Sequence, residues 1–254
     1  MTPPVRRWVF LVGAAGLAAF YLFGLSGLPG FGHYPGPYGF ILNRVAVPQT
    51  NATGVVSAVN FEYRGFDTVG EEFILFAAVA GMAVVLRHLR GEHEGRQPLD
   101  EASDRDLPPT SDAARMVALL FTGPIVLIGW WLVSHAQASP SGGFQGGVVI
   151  ATGFVLLYLS GEFRVFHRLG PADVAAAVEA VGAGGFVGTG LAAVAMNLPY
   201  LKNFLPLGTV PGAVSSSGTI ALISFFVGLE VAAAFILVVG ELLKQTLLVR
   251  GGKR

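Results

Sequence analysis

The 254-residue sequence contains no cysteine, which excludes disulfides, thiolate metal sites and iron–sulfur ligation. It is also poor in charge. Only 13% of residues are Asp, Glu, Lys or Arg, and 16 acidic groups balance 16 Lys and Arg to a net charge of zero. A chain without a basic field does not gather nucleic acid electrostatically, so nucleic acid is not an expected partner. No internal repeat is apparent, which speaks against the paired halves of self-sufficient secondary transporters. What the sequence has in abundance is apolar surface: 53% hydrophobic residues, 35 glycines and a mean hydropathy of +0.63. This composition implies an all-α polytopic membrane protein.

A spanning helix needs about 20 mainly apolar residues. Six segments meet that expectation, at roughly 8–27, 70–88, 113–133, 144–163, 173–196 and 218–245. The N-terminal stretch resembles a signal peptide in having arginines before an apolar core, but the core is long and no A-x-A site follows, so it reads as a retained helix. Threading six crossings with the N-terminus inside puts Arg6, Arg7, Arg87, Arg90, Arg96, Arg105, Arg115, Arg164, Arg168, Lys244, Arg250, Lys253 and Arg254 on the cytoplasmic side. Only Arg44, Arg64 and Lys202 fall outside. Both termini are therefore expected in the cytoplasm of a prokaryotic cell, and the weakly apolar stretch 51–63 is expected to be a short or half-inserted helix.

The polar stretch HLRGEHEGRQPLDEASDRDLPPTSD, residues 88–112, divides the chain. It implies a membrane unit at 1–90, a cytoplasmic linker at 91–112, and a four-helix unit at 113–254 whose first helix Ser111 or Asp112 can cap. The loop GFGHYPGPYGFILNRVAVPQTN and the loop 197–217 are expected to be ordered by turns and interfacial rings, and to face neighbouring subunits.

Two stretches carry candidate chemistry. In NFEYRGFDTVGEEF, Glu62, Arg64, Asp67, Glu71 and Glu72 crowd against the apolar run that follows. Ionisable groups at membrane depth persist when paired or lining water, and Arg64 can pair with Asp67 or Glu71. Gly65 and Gly70 bracket the acidic turn and allow a break before a crossing that starts near Glu71. The alternative is a solvated helix entrance capped by Asp67 or Thr68. The second stretch, SHAQASPSGGFQGG at 134–147, places His135 among serines. It lacks a carboxylate to orient the histidine and lacks a phosphate-loop lysine, so neither hydrolysis nor phosphate binding follows. Its glycines instead permit close helix contact. Farther on, Glu179 lies two turns into the fifth crossing and Glu230 near the middle of the sixth. A lone carboxylate at that depth must be protonated or hydrogen-bonded, which makes Glu230 either a proton-relay group or an interhelical hydrogen bond.

The segment TNATGVVSAVNFEYRGFDTVGEEFILFAAVAGMAVVLR resembles the small E-type subunit of ion-translocating membrane-bound hydrogenases and the C-terminal end of the large A-type subunit of Mrp (Mnh) cation/proton antiporters. The family motif Arg-Gly-Phe-Asp-Thr-x-x-Glu runs without a gap from Arg64 to Glu71, and the resemblance implies that Arg64, Asp67 and Glu71 take part in ion movement. SPSGGFQGGVVIATGFVLLYLSGE is similar to the hallmark of the MnhB-type subunit of the same antiporters. Pro140, Gly142, Gly143, Phe144, Gly146, Gly147 and the LLYL at 156–159 match it. Ser141 replaces a family glycine, two extra residues follow His135, no Asn follows it, and Ser224 stands where the family carries an Asp. The two resemblances imply a membrane subunit of a multisubunit sodium (or other monovalent cation)/proton antiporter, contributing an interface and part of the ion path. Other antiporter-type subunits and the lipid bilayer are the implied partners; neither a cofactor nor catalysis by this chain is expected. The alternatives are a purely structural component of such a complex, or of a hydrogenase-like ion pump, and a self-sufficient transporter.

Overall fold

The computed structural model describes residues 3–28, 32, 36–91, 111–160, 166, 168 and 170–251, and every regular element among them is helical. Residues Met1–Ile41 and Leu42–Arg254 form two separate units. The first unit is built on α1, Pro3–Ser26, and no residue of its apolar stretch Arg7–Ser26 is buried. The helix is long enough to span a bilayer.

The next helix, α2 (Tyr38–Thr50), lies in the loop that the sequence led us to expect as turns. Leu42, Ala46 and Thr50 recur every fourth residue along one face and are buried, and that spacing is what makes the segment a helix. Pro48 has no N–H to donate back along the helix, so the last turn of α2 has one backbone bond fewer. A short helix, α3 (Val55–Ala58), runs on into a π turn at Val59–Tyr63. Arg64, at φ −128° and ψ 29°, breaks the chain direction, and α4 (Gly65–Gly91) begins immediately after it. The break is therefore at Arg64 alone: α4 runs straight through Gly70 and begins six residues before Glu71. Most of the expected linker, 92–110, lies outside the described residues.

Four more long helices of the second unit are described: α5 (Asp112–Ser134), α6 (Gly143–Leu159), α7 (Ala172–Ala195) and α8 (Thr219–Gly251). Ser111 caps α5, its side chain accepting the Ala114 N–H at 3.2 Å. Five helices among those described, α1, α4, α5, α7 and α8, are long and apolar enough to cross a membrane. The sixth expected crossing is the shorter apolar helix α6, whose 17 residues cover about 25 Å.

Helix α8 is the axis of the unit, packing against α4, α6 and α7 and burying half of its most apolar stretch. Glycines allow that crowding. A Cβ on Gly147 of α6 would stand 2.8 Å from the Val231 Cβ and 2.9 Å from the Gly228 oxygen of α8. One on Gly143 would collide with the Ser224 carbonyl, also on α8. On its other side α6 meets α5, where Gly146 backs onto the Gly129 oxygen at 2.6 Å by the same measure. Helix surfaces at these points are backbone against backbone. We expect Gly147→Val to lower the stability of the purified chain in detergent by about 1–3 kcal/mol, as overpacking does. Gly188→Ala, at a helix position with nothing within 4 Å, should leave it unchanged or slightly raised, and thermal unfolding of both variants checks the contrast.

Candidate functional site

The π turn closes with the Arg64 N–H donating to the Val59 carbonyl at 2.7 Å, and it sets the register in which α4 starts. Arg64 and Asp67 form an ion pair, with Arg64 Nε donating to Asp67 Oδ2 at 2.6 Å. Both side chains are at least half exposed, so the pair ties the start of α4 at little net gain in stability. Glu71 is exposed as well. Its neighbour Glu72, about 100° farther round the helix, points inward and is 4% exposed. Thr68, one turn earlier on the same face, is also buried.

Two more carboxylates are buried in the same core: Glu179 of α7 and Glu230 of α8, the latter wholly inaccessible. Glu230 belongs to the helix that packs on both α4 and α7, which carry Glu72 and Glu179. Their relative depth follows from the helix contacts. A Cβ on Gly182 would stand 2.6 Å from the Glu230 nitrogen, and Gly185 backs onto the Phe226 ring, so α7 and α8 run antiparallel. Helices α4 and α8 begin at one face: Gly65 lies against the Leu201 side chain, and Asn203 Oδ1 accepts the Thr219 N–H at 2.9 Å. At 1.5 Å per residue, Glu72 is about 10 Å along α4 from that face and Glu230 about 16 Å along α8. Glu179 precedes Gly182 by three residues, which puts it about 4 Å beyond Glu230. The order from the shared face is Glu72, Glu230, Glu179, a stepped series with no three acidic or histidine groups converging on a metal-sized cage among the described residues.

Glu72 Oε2, Glu179 Oε1 and both Glu230 oxygens are buried without a hydrogen-bond partner among the described residues. Three buried carboxylates cannot all carry a negative charge unless protons neutralise them or cations accompany them. The arrangement can therefore take up, pass on and release positive charge. Glu179 and Glu230 were singled out from the sequence, whereas Glu72 was passed over in favour of Glu71. The signal for Glu72 was Thr68 four residues before it, which marks a second polar position on one helix face.

Loop 134–142 does different work. The His135 ring stacks on Trp131 at 4.6 Å, and its Nδ1 lies 2.9 Å from the Trp131 carbonyl, so the residue finishes α5. Gln137, fully buried, donates from Nε2 to the carbonyls of Ser134 and Val214, each at 3.0 Å. Thr53 Oγ1 donates to the Ala138 carbonyl at 2.8 Å and Ser57 Oγ to that of Ala136 at 2.5 Å. Loops 51–57, 134–139 and 213–217 are thus sewn together. Pro140 lies at the exposed tip, Gly142 precedes the first residue of α6, and Phe144 faces outward from its first turn. Ser224 Oγ donates to the Val133 carbonyl at 3.2 Å, a bond between α8 and α5 away from the carboxylates.

Residues 113–237 match a family model described as a domain related to the MnhB subunit of Na+/H+ antiporter. The chain is 27% identical over 238 residues to an uncharacterised protein of Methanocaldococcus jannaschii, covering 85% of this chain and 86% of that one. It is 28% identical over 134 residues to a probable K(+)/H(+) antiporter A/B subunit of Rhizobium meliloti, covering 47% of this chain and only 13% of that much longer protein. Among solved structures, one chain of the membrane-bound sulfane sulfur reductase, an archaeal respiratory membrane complex, superposes with a TM-score of 0.69 at 26% identity. That match covers 94% of this chain and 98% of the other. A chain of the Mrp complex from Dietzia sp. DQ12-45-1b shares the fold at a TM-score of 0.71 and 21% identity, covering 95% of this chain and 26% of that chain.

The burial of Glu230 has a thermodynamic consequence. Replacing an unpartnered buried carboxylate by an apolar side chain of similar length, Glu230→Met, should raise the stability of the chain by about 1–3 kcal/mol. Glu71→Gln, on the exposed face, should change it by less than about 0.5 kcal/mol. Thermal unfolding in detergent distinguishes this from a carboxylate that locks helices together, for which Glu230→Met would destabilise.

Proposed function

We propose, for a chain whose residues 113–237 carry a domain related to the MnhB subunit of a Na+/H+ antiporter, that Glu72, Glu230 and Glu179 form its segment of a charge-conducting path. The chain is a multi-pass membrane subunit of a cation/proton antiporter-type complex, and other membrane subunits are its partners. The observation that carries the reading is the stepped series Glu72, Glu230 and Glu179, buried on α4, α8 and α7, with four oxygens that have no partner among the described residues. A proton or monovalent cation on any one of them relieves the repulsion felt by the next, so charge advances by one short step at a time. The chain performs no covalent chemistry in this role.

The region before the linker, which resembles the hydrogenase E-type subunit and the end of the antiporter A-type subunit, supplies Glu72. The MnhB-related part supplies Glu230 and Glu179. The path thus draws on both parts of the chain. Sodium is the cation named for the matched family and potassium for the Rhizobium relative, and a sodium- or potassium-for-proton exchange is the activity assigned here. The bias of basic residues supports an orientation in which α4 and α8 start at the outer face of a prokaryotic plasma membrane, with both termini inside. Arg64 and Asp67 fix the start of α4, and Glu71 faces the lipid or a neighbouring protein at the same level.

Glu230→Gln and Glu72→Gln keep side-chain volume and remove the charge. We expect each to abolish cation/proton exchange in vesicles carrying the whole complex, with the assembled complex still present on native gels. Exchange lost only in step with assembly would favour a scaffold whose carboxylates carry nothing. Exchange by the purified chain alone would instead make it a self-sufficient transporter.

A further inference from the structure

Outside the carboxylate series, Glu62 is an acidic side chain both buried and paired. Glu62 is on the π turn immediately before α4, and its side chain is 7% exposed. Its Oε1 accepts from Lys202 Nζ at 2.7 Å, while its Oε2 is buried without a partner among the described residues. Lys202 itself is 53% exposed, so the pair has one wet end and one dry end. Lys202 belongs to the loop between α7 and α8, at the face where α4 and α8 begin, and the loop is firmly held there. Leu201 adopts a left-handed φ of 62° and is 3% exposed, in the same apolar cluster as Phe61 and Phe186. Leucine is rarely found in the left-handed region, so tertiary packing imposes the conformation. Tyr200 fills the space left by Gly190, and a Cβ on Gly65 would come within 2.8 Å of Leu201 Cδ1. Tyr63, next to Glu62, donates its hydroxyl to Gln49 Oε1 at 2.7 Å. Burial, and then the charge of Glu62, pushes that phenol above its ordinary range, so it remains a donor at any physiological pH.

From this geometry we infer that Glu62 is the mouth carboxylate of the path and that Lys202 is its built-in counter-ion, which an incoming monovalent cation displaces. The inference rests on the reading of Glu72, Glu230 and Glu179 given above and adds the step before Glu72. A buried carboxylate at the membrane face needs a positive partner, and in the resting chain the Lys202 ammonium provides it. An arriving sodium or potassium ion satisfies Glu62 in its place, and the flexible, half-exposed lysine withdraws into water. Competition of this kind sets the apparent affinity for the cation on that face without touching the later steps.

The test uses the assembled complex in right-side-out and inside-out vesicles, with sodium and potassium as separate probes. Lys202→Gln removes the competitor, so the apparent KM for the cation should fall about two- to fivefold on one face only, the range expected for a half-exposed ion pair. An unchanged KM, or an equal change on both faces, overturns the inference. The charge swap Glu62→Lys with Lys202→Glu restores an ion pair but removes the mouth carboxylate from its buried position. It should assemble and lose most exchange, and normal exchange by the swap overturns the inference. Failure of both variants to assemble would make the pair a structural clasp, which also overturns it. Loss of exchange in Glu230→Gln combined with an unchanged KM in Lys202→Gln rejects the mouth alone, whereas unchanged exchange in Glu230→Gln rejects the whole path.

Discussion

The structure depends on the approach of two helices to the backbone of α8. Gly143 and Gly147 of α6 and Gly182 and Gly185 of α7 have no side chains where they meet that helix, and the contacts formed leave no room for one. In a bilayer, helices gain nothing from hiding apolar surface from lipid, so association relies on this kind of close packing. The consequence for chemistry is direct. Gly182 lies against the backbone of Glu230, and the carboxylate there is sealed from solvent and lipid alike. A wider helix spacing would have let water or headgroups reach it and removed its need for an accompanying proton or cation.

That seal separates two classes of charge that look alike on paper. Arg64 with Asp67 is an exposed neutral pair, able to hold the start of α4 but carrying no unmet electrostatic demand. Glu72, Glu179 and Glu230 have unmet demand, since four of their oxygens lack partners among the described residues. A chain selected only for stability would have little reason to retain them, because isosteric apolar residues would be less costly to bury. Glu62 stands between the two classes, buried like the core acids yet balanced by Lys202. The acids therefore form a gradient from balanced to unbalanced as the path leaves the membrane face.

Much of the fold was legible in the sequence. Long apolar runs mark the crossings, Ser111 marks the start of α5, and Gly65 marks a break after Tyr63, whereas Gly70 does not interrupt α4. What could not be read was direction around a helix. Helix α8 is apolar on nearly every side, so nothing in its pattern tells which face meets α7, and Glu230 could be placed by depth but not by neighbour. Glu71 and Glu72 are adjacent letters on different walls, and only the packing of α4 on α8 chooses between them. Helix α2 is hidden in the sequence because the glycines and prolines around it signal turns and mask the Leu42, Ala46, Thr50 spacing. Gln137 was missed because its partners, Ser134 and Val214, include a carbonyl 77 residues away. In the 134–147 loop the glycines determine helix spacing, while His135 merely ends a helix.

If Glu72, Glu230 and Glu179 conduct, the carboxyl group at Glu230 exchanges a proton for a cation during transport. Infrared difference spectroscopy on the reconstituted complex, comparing cation-free and cation-loaded states, reads protonated carboxyl groups directly. A protonated-carboxyl band should be lost when sodium or potassium is added, return when the cation is removed, and be missing from the Glu230→Gln complex. A spectrum in this region that does not respond to either cation, or an identical response in Glu230→Gln, would contradict the path.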